Sequence, residues 1–106
     1  MSDIIVVFTA LEQKTEAQEL GALLLKKRLI ACAQISSPME SFYWWKGKIE
    51  YAKEYKLVMK SRSSLWQELE KEIRLYHPYD VPEIFSIPAS GVSKDYEQWL
   101  LEVLQK

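Results

Sequence analysis

The chain is poor in the residue types that most often define a function. Its 106 residues include one cysteine, one histidine and three glycines. The single cysteine, Cys32, cannot form an intramolecular disulfide, which predicts a reducing compartment. The glycines, at positions 21, 47 and 91, provide neither a phosphate-binding loop nor a dinucleotide fingerprint. Any nucleotide-like ligand would therefore have to be held by side chains.

An excess of one charge sign and long apolar runs are also missing. The 14 basic and 15 acidic residues leave a formal net charge of −1. Broad attraction to a phosphate backbone or an anionic membrane is thus excluded, and we expect neither nucleic acid nor a membrane as a partner. No run of about 18 apolar residues occurs, and the amino terminus lacks a basic segment followed by an apolar one. We therefore expect a single domain, residues 1–106, in the cytoplasm.

Hydrophobic patterning predicts a mixed order of strands and helices. The strand-like segments are β-branched or alternate with period two, and they span residues 4–9, 30–45, 48–60 and 83–89. Pro38 interrupts the second of them, and Lys46-Gly47 turns the chain back, so residues 30–60 form a long hairpin. With the helices included, the order is β-α-β-β-α-β-α. This order predicts an α+β fold, a ferredoxin-like βαββαβ sandwich with an extra C-terminal helix.

Potential capping side chains mark the start of each predicted helix. Thr15 with Gln18, and Ser64 with Gln67, have the spacing of capping boxes. Ser93 precedes the amphipathic stripe of the last helix. We therefore expect all three helices to begin at a side-chain cap.

Four consecutive large rings, Phe42-Tyr43-Trp44-Trp45, lie near the tip of the predicted hairpin. Successive side chains of a strand point to opposite faces, so these rings cannot all reach one core. Two interpretations stay open. The outward rings are covered by self-association, or they pack locally on the last helix through Tyr96 and Trp99.

The only histidine lies in the segment Tyr76-His77-Pro78-Tyr79-Asp80-Val81-Pro82-Glu83. Its two prolines restrict the backbone, which suits either a rigid helix-to-strand connection or a functional site. His77 with Asp80 or Glu83 would make an acid-base pair. However, no serine or cysteine lies in a nucleophile motif, so we expect that the protein is not an enzyme.

Several ordered motifs resemble the CutA family of divalent-cation tolerance proteins over essentially the whole chain. They are Tyr43-Trp44-Trp45-Lys46-Gly47-Lys48, Glu54, Lys60, the segment from His77 to Glu83, Tyr96 and Trp99-Leu100. The resemblance implies a ferredoxin-like subunit that assembles, through the long hairpin of residues 30–60, into a PII-like homotrimer. It also implies a role in tolerance of, or response to, copper and other divalent metals, with direct copper binding.

The resemblance also directs attention to metal ligands. The ligands proposed for some family members are a cysteine near the end of the first strand and two consecutive histidines. Phe8 and Tyr76 stand at the cysteine and first histidine positions, so His77 is the one candidate ligand for copper or another divalent cation. Copper(II) prefers several nitrogen or oxygen donors, and trimer symmetry would supply more of them if His77 or Glu83 side chains converge.

A different class of function is a PII-like signalling or binding module that holds a small anionic ligand in the cleft between subunits. Such clefts combine apolar walls with a few fixed polar groups. The candidate residues are Tyr43, Trp45, Lys48, Glu54, Lys60, His77, Tyr79 and Glu83.

Overall fold

The computed structural model describes residues 3–105, which form five strands and three α-helices. The strands are β1 (Ile4–Leu11), β2 (Cys32–Ile35), β3 (Met39–Trp45), β4 (Lys48–Arg62) and β5 (Phe85–Pro88). The helices are α1 (Lys14–Lys26), α2 (Trp66–Tyr76) and α3 (Lys94–Val103), and a 3-10 turn at Ser63–Leu65 leads into α2. Within the described residues, no helix combines the length and the apolar character needed to cross a membrane.

The strands form one antiparallel sheet in the order β2-β4-β1-β5, with β3 paired to β4 beyond this path. The β-branched strand β1 is central, as predicted. All of it pairs with β4, from Ile4 opposite Arg62 to Leu11 opposite Tyr55. On its other edge it pairs with β5, from Ile5 opposite Pro88 to Phe8 opposite Phe85. The predicted ferredoxin-like α+β fold with an additional C-terminal helix is thereby confirmed.

The long hairpin is also confirmed, and its outer part consists of β3 and the first half of β4. Pairing runs from Met39 opposite Glu54 to Trp45 opposite Lys48. Lys46 and Gly47 connect the arms with φ values of 51° and 79°. Positive φ at both central positions is typical of the tight hairpin turns whose twist matches that of the strands. The hairpin makes the chain elongated, with extents of 44 × 26 × 25 Å.

The core lies between the sheet and the apolar stripes of the helices. Its fully buried side chains come from every layer, and they include Val7, Leu11, Leu20, Leu24, Leu57, Met59, Leu69, Ile73 and Leu100. Helix α1 approaches the sheet closely at Gly21, where an added Cβ would lie 3.3 Å from the Cβ of Ala33. A side chain at this position would therefore press directly on β2.

The two predicted capping boxes are wrong. Helix α1 begins at Lys14, one residue before Thr15, and its cap residue Gln13 makes no side-chain cap hydrogen bond. Helix α2 begins only after the 3-10 turn Ser63–Leu65, so Ser64 lies within that turn. Both segments have the spacing of a capping box, but each helix begins at a residue other than the one that this spacing predicts.

The last two elements lie close to their predicted positions. Strand β5 is shorter than the predicted 83–89 segment, because ladder pairing to β1 is limited to Phe85–Pro88. Ser93 does occupy the cap position of α3, and its backbone carbonyl accepts a hydrogen bond from the Glu97 N–H at 2.9 Å. Its hydroxyl makes no cap hydrogen bond.

Candidate functional site

A cleft of about 730 Å³ lies beside the base of the hairpin. Three parts of the chain line it: the residue after β1, the two hairpin arms, and the connection between α2 and β5. The lining residues are Glu12, Ser41, Phe42, Tyr43, Trp45, Glu54, Tyr79, Asp80, Val81, Pro82 and Glu83. We refer to this space as the hairpin cleft, and to residues 77–84 as the α2-β5 loop.

Two polar contacts tie the α2-β5 loop to strand β4. The Tyr79 hydroxyl donates to Oε2 of Glu54 at 2.8 Å. Nζ of Lys56 donates to Oε2 of Glu83 at 2.7 Å in a partly exposed ion pair. Since Glu54 and Lys56 are two residues apart on one strand, their side chains lie on the same side of it and contact the loop at two points.

His77 fixes the start of this loop against β1. Its side chain is buried, and only 7% of its surface is exposed. Nε2 lies 2.8 Å from the Ala10 carbonyl oxygen, which can only accept, so Nε2 carries the proton. Nδ1 then accepts the longer, 3.3 Å hydrogen bond from the Tyr79 N–H. A metal ion could reach Nδ1 only if the Tyr79 hydrogen bond were released.

The environment of His77 favours the neutral imidazole. Burial is the main influence and lowers its pKa from the ordinary 6.5, while the hydrogen bond to Ala10 and the charges of Glu16, Glu54 and Glu83 act in the opposite direction. A neutral ring has one protonated and one unprotonated nitrogen, which matches donation by Nε2 to Ala10 and acceptance by Nδ1 from Tyr79.

Glu54 is a buried carboxylate, exposed over only 7% of its surface. Its partner Tyr79 remains protonated, because burial and the hydrogen bond to Glu54 both raise the pKa of the phenol above its ordinary 10.0. The pair therefore consists of a negative charge and a neutral donor, and it lines the hairpin cleft.

The structure brings some of the predicted site residues together and separates others. Those in the cleft lining are Tyr43, Trp45, Glu54, Tyr79 and Glu83. Lys48, Lys60 and His77 are not part of this lining. Lys60 instead donates from Nζ to Oε1 of Gln34 at 2.8 Å. Lys48 is the first residue of β4, at the hairpin turn.

Sequence reasoning missed Glu12 as a lining residue, although a carboxylate directly after a buried strand is a recognisable signal. With Glu12, Glu54, Asp80 and Glu83, the cleft presents four carboxylates. No Lys or Arg occurs among the lining residues of the described chain. Glu83 is paired with Lys56, so Glu12, Glu54 and Asp80 make the cleft of a single chain acidic, which favours a cation over an anion.

The positions at which some CutA family members carry proposed copper ligands hold other contacts here. Phe8 stacks on Phe85 with ring centres 4.9 Å apart. The Tyr76 hydroxyl donates to Glu19 at 2.6 Å, and this hydrogen bond is the main influence that raises the Tyr76 pKa to about 12. Across residues 3–105, no three His, Cys, Asp or Glu side chains are grouped closely enough to hold a metal ion. Metal ligation by His77 stays a prediction.

The strand order, the long hairpin and the third helix define a ferredoxin-like α+β fold of the PII-like kind. The chain belongs to the CutA1 family, because the family model described as CutA1 divalent ion tolerance protein matches residues 5–103. It is 44% identical to the divalent-cation tolerance protein CutA of Pyrococcus horikoshii over 103 residues, which cover 97% of this chain and 100% of that protein.

Solved structures agree with this assignment. Rice (Oryza sativa) CutA1 superimposes with a TM-score of 0.95 at 32% identity, and the match covers 99% of this chain and 96% of the rice chain. The protein described as the periplasmic divalent cation tolerance protein CutA from Archaeoglobus fulgidus has a TM-score of 0.92 at 33% identity. That match covers 96% of this chain and 99% of the Archaeoglobus chain.

Replacing Tyr79 by Phe should destabilise the protein by about 1–3 kcal/mol, because the buried Glu54 carboxylate loses its hydrogen-bond donor. Guanidinium unfolding at a fixed subunit concentration measures this loss. Tyr96→Phe is the matched control, since Tyr96 on α3 is exposed and its hydroxyl makes only a 3.9 Å contact with Sγ of Cys32. Equal stability of the two variants would contradict the importance of the Tyr79–Glu54 hydrogen bond.

The His77 ring should titrate below pH 6.5 in the folded protein. Since the folded pKa is lower than the unfolded value, the unfolded chain binds the proton more readily. The contribution of His77 to stability is therefore complete above about pH 6.5 and decreases as the pH falls through the folded pKa. NMR of the imidazole signals gives the pKa without ambiguity, because the chain has one histidine. A pKa at or above 6.5 would contradict burial as the dominant influence.

Proposed function

We propose that this protein acts in the tolerance of divalent metal ions by binding the cation directly, with copper among its ligands. The observation that carries the proposal is the acidity of the hairpin cleft, where three of the four lining carboxylates, Glu12, Glu54 and Asp80, take no part in the ion pairs of the described residues. Negative charges in a cleft raise the local concentration of cations. At a site of oxygen and nitrogen donors, copper(II) binds more tightly than the other divalent first-row metals. Membership of the CutA1 family supports the same role.

We propose further that the metal-binding form is a homotrimer. Within the described part of one subunit, three suitable donors do not converge, so neighbouring subunits have to complete the site. Four exposed apolar side chains on the hairpin, the hairpin patch, support this assembly: Phe42, Trp44, Ile49 and Tyr51. A contiguous apolar surface of this kind is typical of the centre of a protein interface.

The proposed role is binding in the cytoplasm rather than catalysis. Both ring nitrogens of His77 are engaged in hydrogen bonds, and its buried ring is favoured in the neutral form, which argues against an acid-base function for this residue. Cys32 is the only cysteine and has no disulfide partner in the chain, which supports a reducing compartment.

Assembly through the hairpin patch predicts that Trp44→Glu favours dissociation, because a charge at a covered apolar position is costly. At subunit concentrations that keep the unmodified protein trimeric, we expect association to weaken by at least about tenfold. Native mass spectrometry and light scattering measure the assembly. Leu75→Glu is the matched control, because Leu75 on α2 and Trp44 are both 73% exposed in the subunit. A trimer that survives Trp44→Glu unchanged would exclude the patch from the interface.

Copper(II) should bind saturably to the native assembly in a buffer that does not chelate it, and more tightly than Ni²⁺, Co²⁺ or Zn²⁺. Asp80→Asn should weaken binding by about tenfold, because an exposed cleft carboxylate loses its charge. Glu102→Gln on α3 is the control with the same charge change. Isothermal titration calorimetry gives affinity and stoichiometry per subunit.

The same titration tests His77. Weaker binding by the folded His77→Ala assembly would make His77 a ligand, and unchanged binding would restrict the site to carboxylates. Absence of saturable copper binding by the unmodified assembly would overturn direct metal binding as the basis of tolerance.

A further inference from the structure

We propose that the hairpin cleft also binds an organic cation, namely a protonated amine carried on a flat apolar or aromatic body. This inference goes beyond the proposed metal response, because it concerns another class of ligand and depends on the aromatic walls of the cleft as well as on its carboxylates. Its basis is the combination of a buried carboxylate, aromatic walls and a space of small-molecule size.

Glu54 provides the charge that an ammonium group would meet. Its carboxylate is exposed over only 7% of its surface, and its hydrogen bond comes from the neutral Tyr79 hydroxyl. In the described part of the chain, the ion pairs do not include Glu54, whereas Glu83 at the same cleft is paired with Lys56. A buried charge without a counter-ion is costly, and a cation in the cleft would remove that cost.

Aromatic rings form much of the remaining wall. The rings of Tyr43, Trp45 and Tyr79 line the cleft, whereas the Phe42 ring lies on the other face of β3, stacked on Tyr51. Ring faces attract ammonium groups within about 6 Å of their centres, and the strength of this attraction increases as water is excluded. Trp45 already makes such a contact, since Nζ of Lys46 lies 5.7 Å from its ring centre. The aromatic ring faces and the neighbouring Glu54 carboxylate therefore both attract a positive charge.

The dimensions of the cleft match an organic molecule better than a bare ion. Its volume of about 730 Å³ falls within the 300–1,000 Å³ that is typical of small-molecule sites. Val81 and Pro82 add apolar surface beside the rings, which would contact the uncharged body of the ligand. A metal ion alone would leave most of this apolar surface exposed to water.

The walls are also held in place before any ligand binds. The α2-β5 loop is fixed by the hydrogen bonds His77–Ala10 and Tyr79–Glu54, and by the Lys56–Glu83 ion pair. Pro78 and Pro82 further restrict its backbone. A preformed site of this kind loses little conformational freedom on binding, so more of the contact energy appears as affinity.

Three probes of similar shape and different charge test the proposal on the native, metal-free assembly at pH 7: benzylammonium, benzyl alcohol and benzoate. Amide chemical shifts in an NMR titration report both the affinity and the location of binding. We expect benzylammonium to bind at least about tenfold more tightly than benzyl alcohol, with shifts concentrated at the hairpin and the α2-β5 loop. Benzoate should bind more weakly than either.

Glu54→Gln should abolish the preference for the cation, since the amide keeps an acceptor for Tyr79 but loses the charge. Glu12→Gln should lower the preference by a smaller factor. Glu12 is exposed, so this variant tests the site even if Glu54→Gln does not fold. Glu102→Gln, an exposed carboxylate on α3 outside the cleft lining, should leave all three affinities unchanged.

Equal affinities for benzylammonium and benzyl alcohol would overturn the proposal, and so would an unchanged preference in both cleft variants. It would be overturned as well if none of the probes binds, as expected if a side chain of a neighbouring subunit fills the cleft. The copper titration is independent of these probes. An assembly that binds copper but no organic cation would remove this inference and leave the metal-binding proposal intact.

Discussion

The continuous pairing of the 15-residue strand β4 is the constraint on which the rest of the structure depends. Its second half holds β1 and β2 in the sheet, and its first half holds β3 in the hairpin. Strand β1 leaves this ladder at Leu11, opposite Tyr55, whereas β4 continues outward with β3 alone. The hairpin cleft lies at this transition, because Glu12 is the residue that follows β1 and Glu54 is the next residue outward on β4.

A buried carboxylate beside this transition is not explained by stability. An apolar side chain of similar size at position 54 would avoid the cost of burying a charge, and it would still pack against the Tyr79 ring. The Tyr79 hydroxyl, whose pKa is raised by burial and by Glu54, offsets only part of the cost, because it remains a neutral donor. Buried charge with an incomplete set of partners is characteristic of binding sites, and it supports the cation binding that we propose for the cleft.

The sequence predicted those parts of the molecule that depend on periodicity. The β-branched run in β1 and the Lys46-Gly47 turn identified the central strand and the hairpin, whereas the two capping boxes were wrong. The Ser63 hydroxyl donates to Asp3, 60 residues away, a contact that local spacing cannot reveal. Lys48 and Lys60 each lie six residues from Glu54 along β4, which at about 3.3 Å per residue is roughly 20 Å. Lys60 is therefore too far along the strand to share the Glu54 wall of the cleft. Lys48 lies opposite the lining residue Trp45 but is not itself part of the lining, although motif order placed all three in one set. The direction of the His77 ring, toward the Ala10 carbonyl, depends on how the α2-β5 loop crosses β1.

The hairpin links assembly to ligand binding. Phe42 belongs both to the hairpin patch and to the lining of the cleft. If a neighbouring subunit covers this patch, as we propose, it also covers the part of the cleft lining to which Phe42 belongs. A ligand that binds the covered form more tightly than the open one must, by mass action, stabilise the assembly by the same free energy. The fraction of clefts that hold a ligand and the fraction of chains that are assembled would then rise together. This coupling would let the protein respond to a cation through its assembly.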